Sequence, residues 1–210
     1  MKLAFAFILA YLIGSIPSGV WIGRTFVHKD PRDGGSHNIG TTNSFRVLGA
    51  PAGTAVLIID ILKGTLGASL PHLFGYNQHW LVLLCGLAAV IGHMASIFLK
   101  FKGGKAVATS AGILLAYSPL LFAVASGTFV GVILITSTVA LGSLTGVLVT
   151  TIVALCIHDW VLATIAGVLT IVLFIRHIPN LKRIAHHQEN IVHFGLYYAL
   201  QKEKSENTKP

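Results

Sequence analysis

The stretch from Ala106 to His158 reads AVATSAGILLAYSPLLFAVASGTFVGVILITSTVALGSLTGVLVTTIVALCIH and contains no Asp, Glu, Lys or Arg. A membrane-spanning helix needs about 20 predominantly apolar residues, so an uncharged run of this length predicts several helices in lipid. The chain as a whole is similarly apolar: 54% of its 210 residues are hydrophobic, 10% are charged, and its mean hydropathy is +0.77. Soluble domains carry about 25% charged residues. We therefore predict an all-α polytopic membrane protein.

Composition also excludes several classes of protein. The chain is too apolar for a disordered protein, and its charges are too few for a nucleic-acid-binding globule. Its two cysteines, Cys85 and Cys156, lie in apolar runs without metal-ligand spacing. The length leaves no room for a separate soluble domain, so we expect one membrane-embedded domain over residues 1–210, with a tail from about residue 184.

The basic residues fall in blocks that predict the orientation of the chain. Cytoplasmic loops of membrane proteins are enriched in Lys and Arg, so all three blocks are expected on the cytoplasmic side. The blocks are Arg24, Lys29, Arg32 and Arg46; Lys100, Lys102 and Lys105; and Arg176, Lys182, Arg183, Lys202, Lys204 and Lys209.

Counting the apolar runs between these blocks predicts seven crossings, with the N-terminus outside and the C-terminus cytoplasmic. An even number of crossings must join Lys105 to Arg176, and four of 17–18 residues each fit the distance. The other predicted spans are 3–23, 51–73 and 80–99, and the breaks among the last four are Tyr117–Pro119, Thr138–Ser143 and His158–Trp160. Small residues four apart, such as Gly14/Ser18 and Gly142/Gly146, predict close helix packing.

The segment Gly34–Arg46, which reads GGSHNIGTTNSFR, is the first candidate site. Glycines let successive backbone N–H groups face one concavity that binds anions. Ser, Thr and Asn add neutral donors, and the guanidinium of Arg46 suits phosphate or carboxylate. An ordinary polar turn is the alternative, and the Gly-Lys-Ser/Thr ending of a nucleotide P-loop is absent.

Three further places carry polar residues that an apolar chain does not need. KFKGGK at 100–105 leads directly into an apolar helix, which makes an anion site or a simple basic anchor. RHIPNLKR at 176–183 offers a His and an Asn beside the cytoplasmic interface, or only a basic flank. Ser143 and the pair Asp60/Lys63 lie in or beside spans, where polar residues are functional candidates. Asp60 and Lys63 are three residues apart on a helix, so the alternative for this pair is that the two charges only neutralise each other.

One motif matches the signature of a different class of protein. His28 and Asp33 match H-x4-D, the signature of the soluble-domain glycerolipid acyltransferases. Pro31 between them prevents a regular helical turn, and a match of this kind is expected by chance at an appreciable rate.

Taken in order, these segments resemble the membrane-integral acyl-phosphate:glycerol-3-phosphate acyltransferases of bacteria, the PlsY type. The most specific pieces are GSHNIGTTN at 35–43 with Arg46, and FKGGKAVAT at 101–109 preceded by Gly92 and His93. The family usually has Ala where Thr41 stands and Gly where Ala106 stands. Thr41 adds a hydroxyl and Ala106 a methyl, and neither removes a donor.

The resemblance implies a seven-helix bundle in the inner (plasma) membrane with its active site on the cytoplasmic side. It implies acyl transfer from acyl phosphate to the 1-hydroxyl of glycerol 3-phosphate, giving lysophosphatidic acid and phosphate, without a cofactor or metal. Membrane lipid is the expected surrounding, no nucleic acid is expected, and a functional link to an acyl-phosphate-forming enzyme is implied.

Two sets of site residues follow. The catalytic set, which we expect to hold glycerol 3-phosphate, is Ser36, Arg46, Lys105, His177 and Asn180. The substrate-binding set, whose first five members would cradle the acyl-phosphate headgroup, is Asn38, Gly40, Thr41, Thr42, Asn43, Lys102, Gly103, Gly104 and Ser143. The attacking hydroxyl would give its proton to His177 or to a substrate phosphate oxygen.

Two alternatives stay open on the sequence. One is an H-x4-D acyltransferase that uses acyl-CoA with His28 as base. The other is a small transporter of an organic phosphate. Transporters usually place polar residues near the bilayer midplane, whereas most of these residues collect at one interface.

Overall fold

The computed structural model describes residues 1–207, and this part of the chain is helical without strands. The last three residues, with Lys209 of the predicted tail, lie outside the described residues. The helices within residues 1–207 are α1 Lys2–Ser15, α2 Ser18–Ile22, α3 Thr41–Leu48, α4 Ala50–Leu73, α5 His79–Met94, α6 Val107–Tyr117, α7 Pro119–Thr136, α8 Val139–Cys156, α9 Trp160–Ala185 and α10 Leu196–Asn207.

The chain forms two compact units, Met1–Phe122 and Ala123–Pro210. In the first unit α4 packs against α5 and α6, and α1 packs against α5. Glycines permit these contacts: a Cβ on Gly14 would collide with the backbone of Ala89, and one on Gly64 would collide with the carbonyl of Thr109. The predicted close packing at Gly14 is therefore confirmed.

The first span is broken by a proline. Pro17 follows α1 directly, and a proline disfavours helical geometry at the residue before it. The chain resumes at α2 and continues through a π-helical turn, Gly23–Val27, at an angle of 43° to α1. The break turns the chain toward the polar loop that carries the first candidate site.

In the second unit α8 packs against α9, with a hydrogen bond between the hydroxyls of Thr151 and Thr170 at 2.9 Å. Gly142 lies against Phe129 of α7, as the spacing of small residues predicts. The segment before α10 returns to the junction of α7 and α8, where the N–H of Val192 donates to the carbonyl of Ser137 at 2.9 Å.

Within residues 1–207, five helices are long and apolar enough to cross a membrane, and the bent pair α1–α2 makes six. Helix breaks occur at the predicted Tyr117–Pro119 and His158–Trp160, and the third, Thr136–Val139, begins two residues before its predicted place. The expected length of 17–18 residues is confirmed for α7 and α8, which have 18 residues each. It is wrong for α6, which has 11 residues, and for α9, which has 26. At 1.5 Å per residue, α6 spans about 16 Å of a hydrocarbon layer of about 30 Å.

Candidate active site

Asn43 organises the first glycine-rich loop. Its side chain is 2% exposed, and its amide oxygen accepts from the N–H of Ser36 at 2.8 Å. Its amide nitrogen donates to the carbonyls of Pro31 at 2.6 Å, Asn38 at 2.9 Å and Gly34 at 3.1 Å. A buried amide must be hydrogen-bonded, and here the partners are the loop's own backbone. Asn43 therefore holds the shape of the loop, and its direct contact with substrate stays a prediction.

The same loop leads into the N-terminus of α3. The side chain of Asn38 accepts from the N–H of Gly40 at 2.8 Å, which forms an Asx turn. The carbonyl of Gly40 then accepts from the N–H of Asn43 at 3.1 Å and starts the helix. The N–H groups of Thr41 and Thr42 belong to the first turn, where an α-helix offers donors without intrahelical partners. This arrangement suits the predicted binding of a phosphate.

Arg46 lies along this loop. The residue is exposed in α3, and Gly35, whose φ is +61°, is packed between it and Asn43. A Cβ on Gly35 would lie 3.1 Å from Cδ of Arg46 and would collide with the amide oxygen of Asn43. Glycine therefore suits this position for both its backbone angle and its size, and the side chain of Arg46 runs past it.

Asp30 stabilises the turn that precedes the loop. Its carboxylate accepts from Nε of Arg24 at 2.9 Å, from Nη2 of Arg32 at 2.6 Å and from the N–H of Arg32 at 2.9 Å. These hydrogen bonds, led by the one from the Arg32 side chain, lower the pKa of Asp30 from 3.8 to about 2. The same pairing raises the pKa of Arg32. The carbonyl of Arg32 lies 2.8 Å from Nδ1 of His37, which extends this support into the loop.

The second glycine-rich loop packs on the end of α5. The N–H of Gly104 donates to the carbonyl of His93 at 3.1 Å. A Cβ on Gly103 would collide with the backbone of His93 and lie 2.5 Å from the carbonyl oxygen of Met94, while one on Gly104 would collide with the His93 imidazole. The glycine pair therefore has a packing reason that the sequence does not show. Lys105 is half-buried beside it, at the start of α6.

Lys100 and Lys102 are both exposed in this loop. Ala106 precedes α6 with a φ of +61° and is 2% exposed. Its left-handed conformation explains why glycine suits this position in the family that the sequence resembles.

In the second unit, His177 and Asn180 lie on α9. Nδ1 of His177 is 2.8 Å from the carbonyl of Leu173, and a carbonyl only accepts. Nδ1 therefore carries the hydrogen, and Nε2 is the acceptor of the neutral ring. Asn180 donates to Glu189 at 2.7 Å, and Arg183 pairs with the second oxygen of the same carboxylate at 2.7 Å.

Glu189 is a residue that sequence reasoning missed. Its only signal is an isolated acid after the basic run 176–183, and such a position fits a surface charge as well as a support for Asn180. Ser143 is buried in α8, and its hydroxyl donates to the carbonyl of Val139 at 2.9 Å. Its predicted contact with substrate stays a prediction.

The geometry of the H-x4-D motif does not favour the acyl-CoA alternative. The H-x4-D residues do not share a regular helix: His28 has a φ of +54°, and Asp33 is exposed at the end of a 3-10 turn, Pro31–Asp33. No group of three or more His, Cys, Asp or Glu side chains within residues 1–207 is arranged to hold a metal ion.

The structure thus brings Ser36, Asn38, Asn43 and Arg46 together on one loop and helix of the first unit. Gly103, Gly104 and Lys105 lie on the end of α5 in the same unit. His177 and Asn180 lie one helical turn apart in the second unit.

Comparison with known proteins gives one consistent result. The family model described as glycerol-3-phosphate acyltransferase matches residues 4–187. The chain is 64% identical over 204 residues to the glycerol-3-phosphate acyltransferase of Latilactobacillus sakei subsp. sakei, with 97% of this chain and 99% of the relative covered. It is 49% identical over 209 residues to glycerol-3-phosphate acyltransferase 2 of Lactobacillus acidophilus, with 100% and 98% covered.

Solved structures agree with these relatives. The crystal structure of PlsY (YgiH), an integral membrane glycerol 3-phosphate acyltransferase in its glycerol 3-phosphate form, matches with a TM-score of 0.85 and 32% identity. The match covers 91% of this chain and 96% of that chain. Its lysophosphatidic acid form matches with a TM-score of 0.81 at the same identity, covering 91% and 95%.

Proposed function

This chain belongs to the glycerol-3-phosphate acyltransferase family, and on that premise we propose how its residues perform the reaction. The enzyme transfers a fatty acyl group from acyl phosphate to the 1-hydroxyl of glycerol 3-phosphate. The hydroxyl oxygen attacks the acyl carbonyl carbon, the carbon–oxygen bond to phosphate breaks, and phosphate leaves with the electron pair. The products are lysophosphatidic acid and phosphate.

The observation that carries the proposal is the pair of glycine-rich basic loops in the first unit. Both substrates bear a phosphate group, so the reaction needs two places that bind an anion. The loop held by Asn43 presents the start of α3 and Arg46, and the loop on the end of α5 presents Lys105. Acyl phosphate is a mixed anhydride with a good leaving group, so binding and orientation suffice without a covalent nucleophile.

Within this scheme each predicted site residue has a role. Glycerol 3-phosphate is held by Ser36, Arg46, Lys105, His177 and Asn180. The acyl-phosphate headgroup is cradled by residues 38–43, with Lys102, Gly103, Gly104 and Ser143 as further contacts. The proton of the attacking hydroxyl goes to Nε2 of His177 or to a phosphate oxygen. The Nδ1 hydrogen bond to the carbonyl of Leu173 is compatible with the first route, because it places the hydrogen of a neutral ring on Nδ1.

The membrane arrangement is also part of the proposal. We propose seven crossings in the inner (plasma) membrane, counting the bent pair α1–α2 and the short α6 as one crossing each. The N-terminus then lies outside, and the basic loops, the active site and the C-terminal tail lie in the cytoplasm, as the distribution of Lys and Arg predicts. Acyl phosphate would arrive from an enzyme that forms it at this membrane.

The donor is tested by offering the purified protein, in lipid nanodiscs, either palmitoyl phosphate or palmitoyl-CoA with labelled glycerol 3-phosphate. We expect lysophosphatidic acid from palmitoyl phosphate alone, and full activity for His28→Ala. Product from palmitoyl-CoA that disappears in His28→Ala would instead establish the H-x4-D reaction. Flux of glycerol 3-phosphate across sealed vesicles without product would establish the transporter.

A further inference from the structure

A carboxylate to which the proposed reaction gives no role lies buried inside the first unit. Asp60, in α4, is 1% exposed and its neighbour Lys63 is 4% exposed. Nζ of Lys63 lies 2.9 Å from Oδ1 of Asp60 and donates to the carbonyl of Ile16 at 2.9 Å. The pair is neutral as a whole, but a buried ion pair is often no more stable than two apolar residues of the same size. Stability alone therefore gives a weak reason for it.

On one side Asp60 reaches the first loop. The hydroxyl of Thr41, the first residue of α3, donates to Oδ2 at 3.3 Å. The hydroxyl of Ser18 in α2 donates to Oδ1 at 2.6 Å, which fixes the rotation of the carboxylate. The bond from Thr41 uses the hydroxyl that distinguishes this chain from the alanine usual in the family. Asp60 thus holds the end of the loop that carries the predicted acyl-phosphate cradle.

On the other side Asp60 faces the second loop through His93. Nδ1 of His93 lies 3.9 Å from Oδ1 of Asp60, outside hydrogen-bond distance, and 3.2 Å from the hydroxyl of Thr109 in α6. The carbonyl of the same histidine accepts from the N–H of Gly104, and its ring packs directly on that glycine. The position of His93 therefore determines where the loop before Lys105 lies.

We propose that Asp60 is a positioning residue that keeps the two substrate loops at a fixed spacing, through Thr41 on one side and His93 on the other. This inference rests on the proposed function, in which each of the two phosphate-bearing substrates is held by residues from both loops. Asp60 touches neither substrate. It acts by fixing the spacing of the two anion sites, and losing it would weaken the binding of both substrates together.

The central test replaces the pair by apolar residues of similar size, Asp60→Leu with Lys63→Met, so that no charge is left unpaired. A matched control is Thr65→Val, which removes another hydrogen bond between α4 and α6, from Thr65 to the carbonyl of Gly112 at 2.9 Å. We expect the double variant to raise KM for glycerol 3-phosphate and for palmitoyl phosphate at least five-fold each. Thr65→Val should leave both KM values within two-fold of wild type.

A second readout does not depend on activity. Hydrogen–deuterium exchange of the purified proteins should be faster than wild type in peptides covering 36–46 and 100–106 of the double variant, and unchanged there in Thr65→Val. Should the double variant fail to fold, Ser18→Ala keeps both charges and frees the carboxylate to rotate. We expect from it the same pattern at about two- to five-fold in each KM.

Three outcomes would overturn the inference: unchanged exchange in both loops, a change in only one loop, or a loss of kcat with both KM values unchanged. Absence of lysophosphatidic acid from the wild type would contradict the proposed function instead. The exchange comparison would still decide the role of Asp60 in that case.

Discussion

Lys105 and Lys100 carry the same charge in the same loop, but the structure separates them. Lys105 is half-buried next to the glycine pair that packs on His93, whereas Lys100 is exposed before that pair. This difference in burial fits a phosphate-binding role for Lys105, because lysines that only anchored the loop to the membrane would be interchangeable.

We expect Lys105→Ala to lower kcat/KM by about 10- to 150-fold, since a charge-assisted hydrogen bond contributes about 1.5–3 kcal/mol. Lys100→Ala is the control and should lower it by less than two-fold in membranes that hold equal amounts of protein. Arg at position 105 should restore activity poorly, because its planar fork does not replace a compact ammonium. Equal losses in the two alanine variants would show that Lys105 is only an anchor.

Single residues also show which features of the candidate site can be predicted from the sequence and which cannot. The residue types of the site, such as Arg46, Lys105 and His177, are visible in the sequence because charges are rare in it. Backbone conformation is not visible in the residue itself: an alanine does not indicate that Ala106 is left-handed, although that geometry costs a non-glycine residue about 1–2 kcal/mol. The partner of the Thr41 hydroxyl is equally hidden, because Asp60 is distant in sequence.

At the scale of elements, the sequence predicts the two glycine-rich loops but not the contacts that keep them in their conformations. Glycine, serine and asparagine at 34–43 indicate an anion-binding loop, but they do not show that Asn43 uses its amide to tie that loop together. The glycine pair at 103–104 indicates a phosphate site, while the structure adds tight packing on His93. Such supports depend on contacts between elements, which local patterns do not encode.

The turn before the first loop gives a test of this kind of support. Asp30→Asn should lower the free energy of unfolding at pH 7 by about 1–2 kcal/mol, a modest value because its arginine partners are partly exposed. This corresponds to about 2–8 °C in Tm. The pKa of Asp30 is lowered by folding, so its contribution is complete above about pH 4 and is lost as the pH falls through about 2.

Thermal unfolding in detergent, followed from pH 7 downward, checks both statements. The difference between wild type and Asp30→Asn should narrow as the pH falls below about 4. Asp33→Asn changes an exposed carboxylate in the same turn and should leave Tm unchanged. A constant difference at all pH values would mean that Asp30 does not act through its ionised carboxylate.

For the whole molecule, hydropathy predicts the membrane class and most helix breaks. It does not predict the lengths of the helices, because a long uncharged run can be divided into helices of many different lengths without burying a charge in lipid. α6 is short because the left-handed Ala106 precedes it and Pro119 follows it closely. The seven-crossing topology therefore rests on charge asymmetry and is open to direct measurement.

Single cysteines report the topology. The background should lack the native thiols, since Cys156 is exposed at the end of α8 and would react by itself. Exposed positions predicted to be cytoplasmic are Asp33, Lys100 and Asn190, and Asn77 is an exposed position predicted to lie outside. In intact cells an impermeant thiol reagent should label only the cysteine at 77. Labelling at position 100 from outside would reverse the orientation and the location of the active site.

The proposed reaction is tested most directly by the products that the purified protein forms in lipid from palmitoyl phosphate and labelled glycerol 3-phosphate, with EDTA present. We predict one lysophosphatidic acid for each phosphate released, without coenzyme A or added metal, because in the proposed reaction Lys and Arg side chains neutralise the phosphate groups of both substrates. Phosphate release without lysophosphatidic acid, or product that appears only after Mg²⁺ is restored, would contradict it.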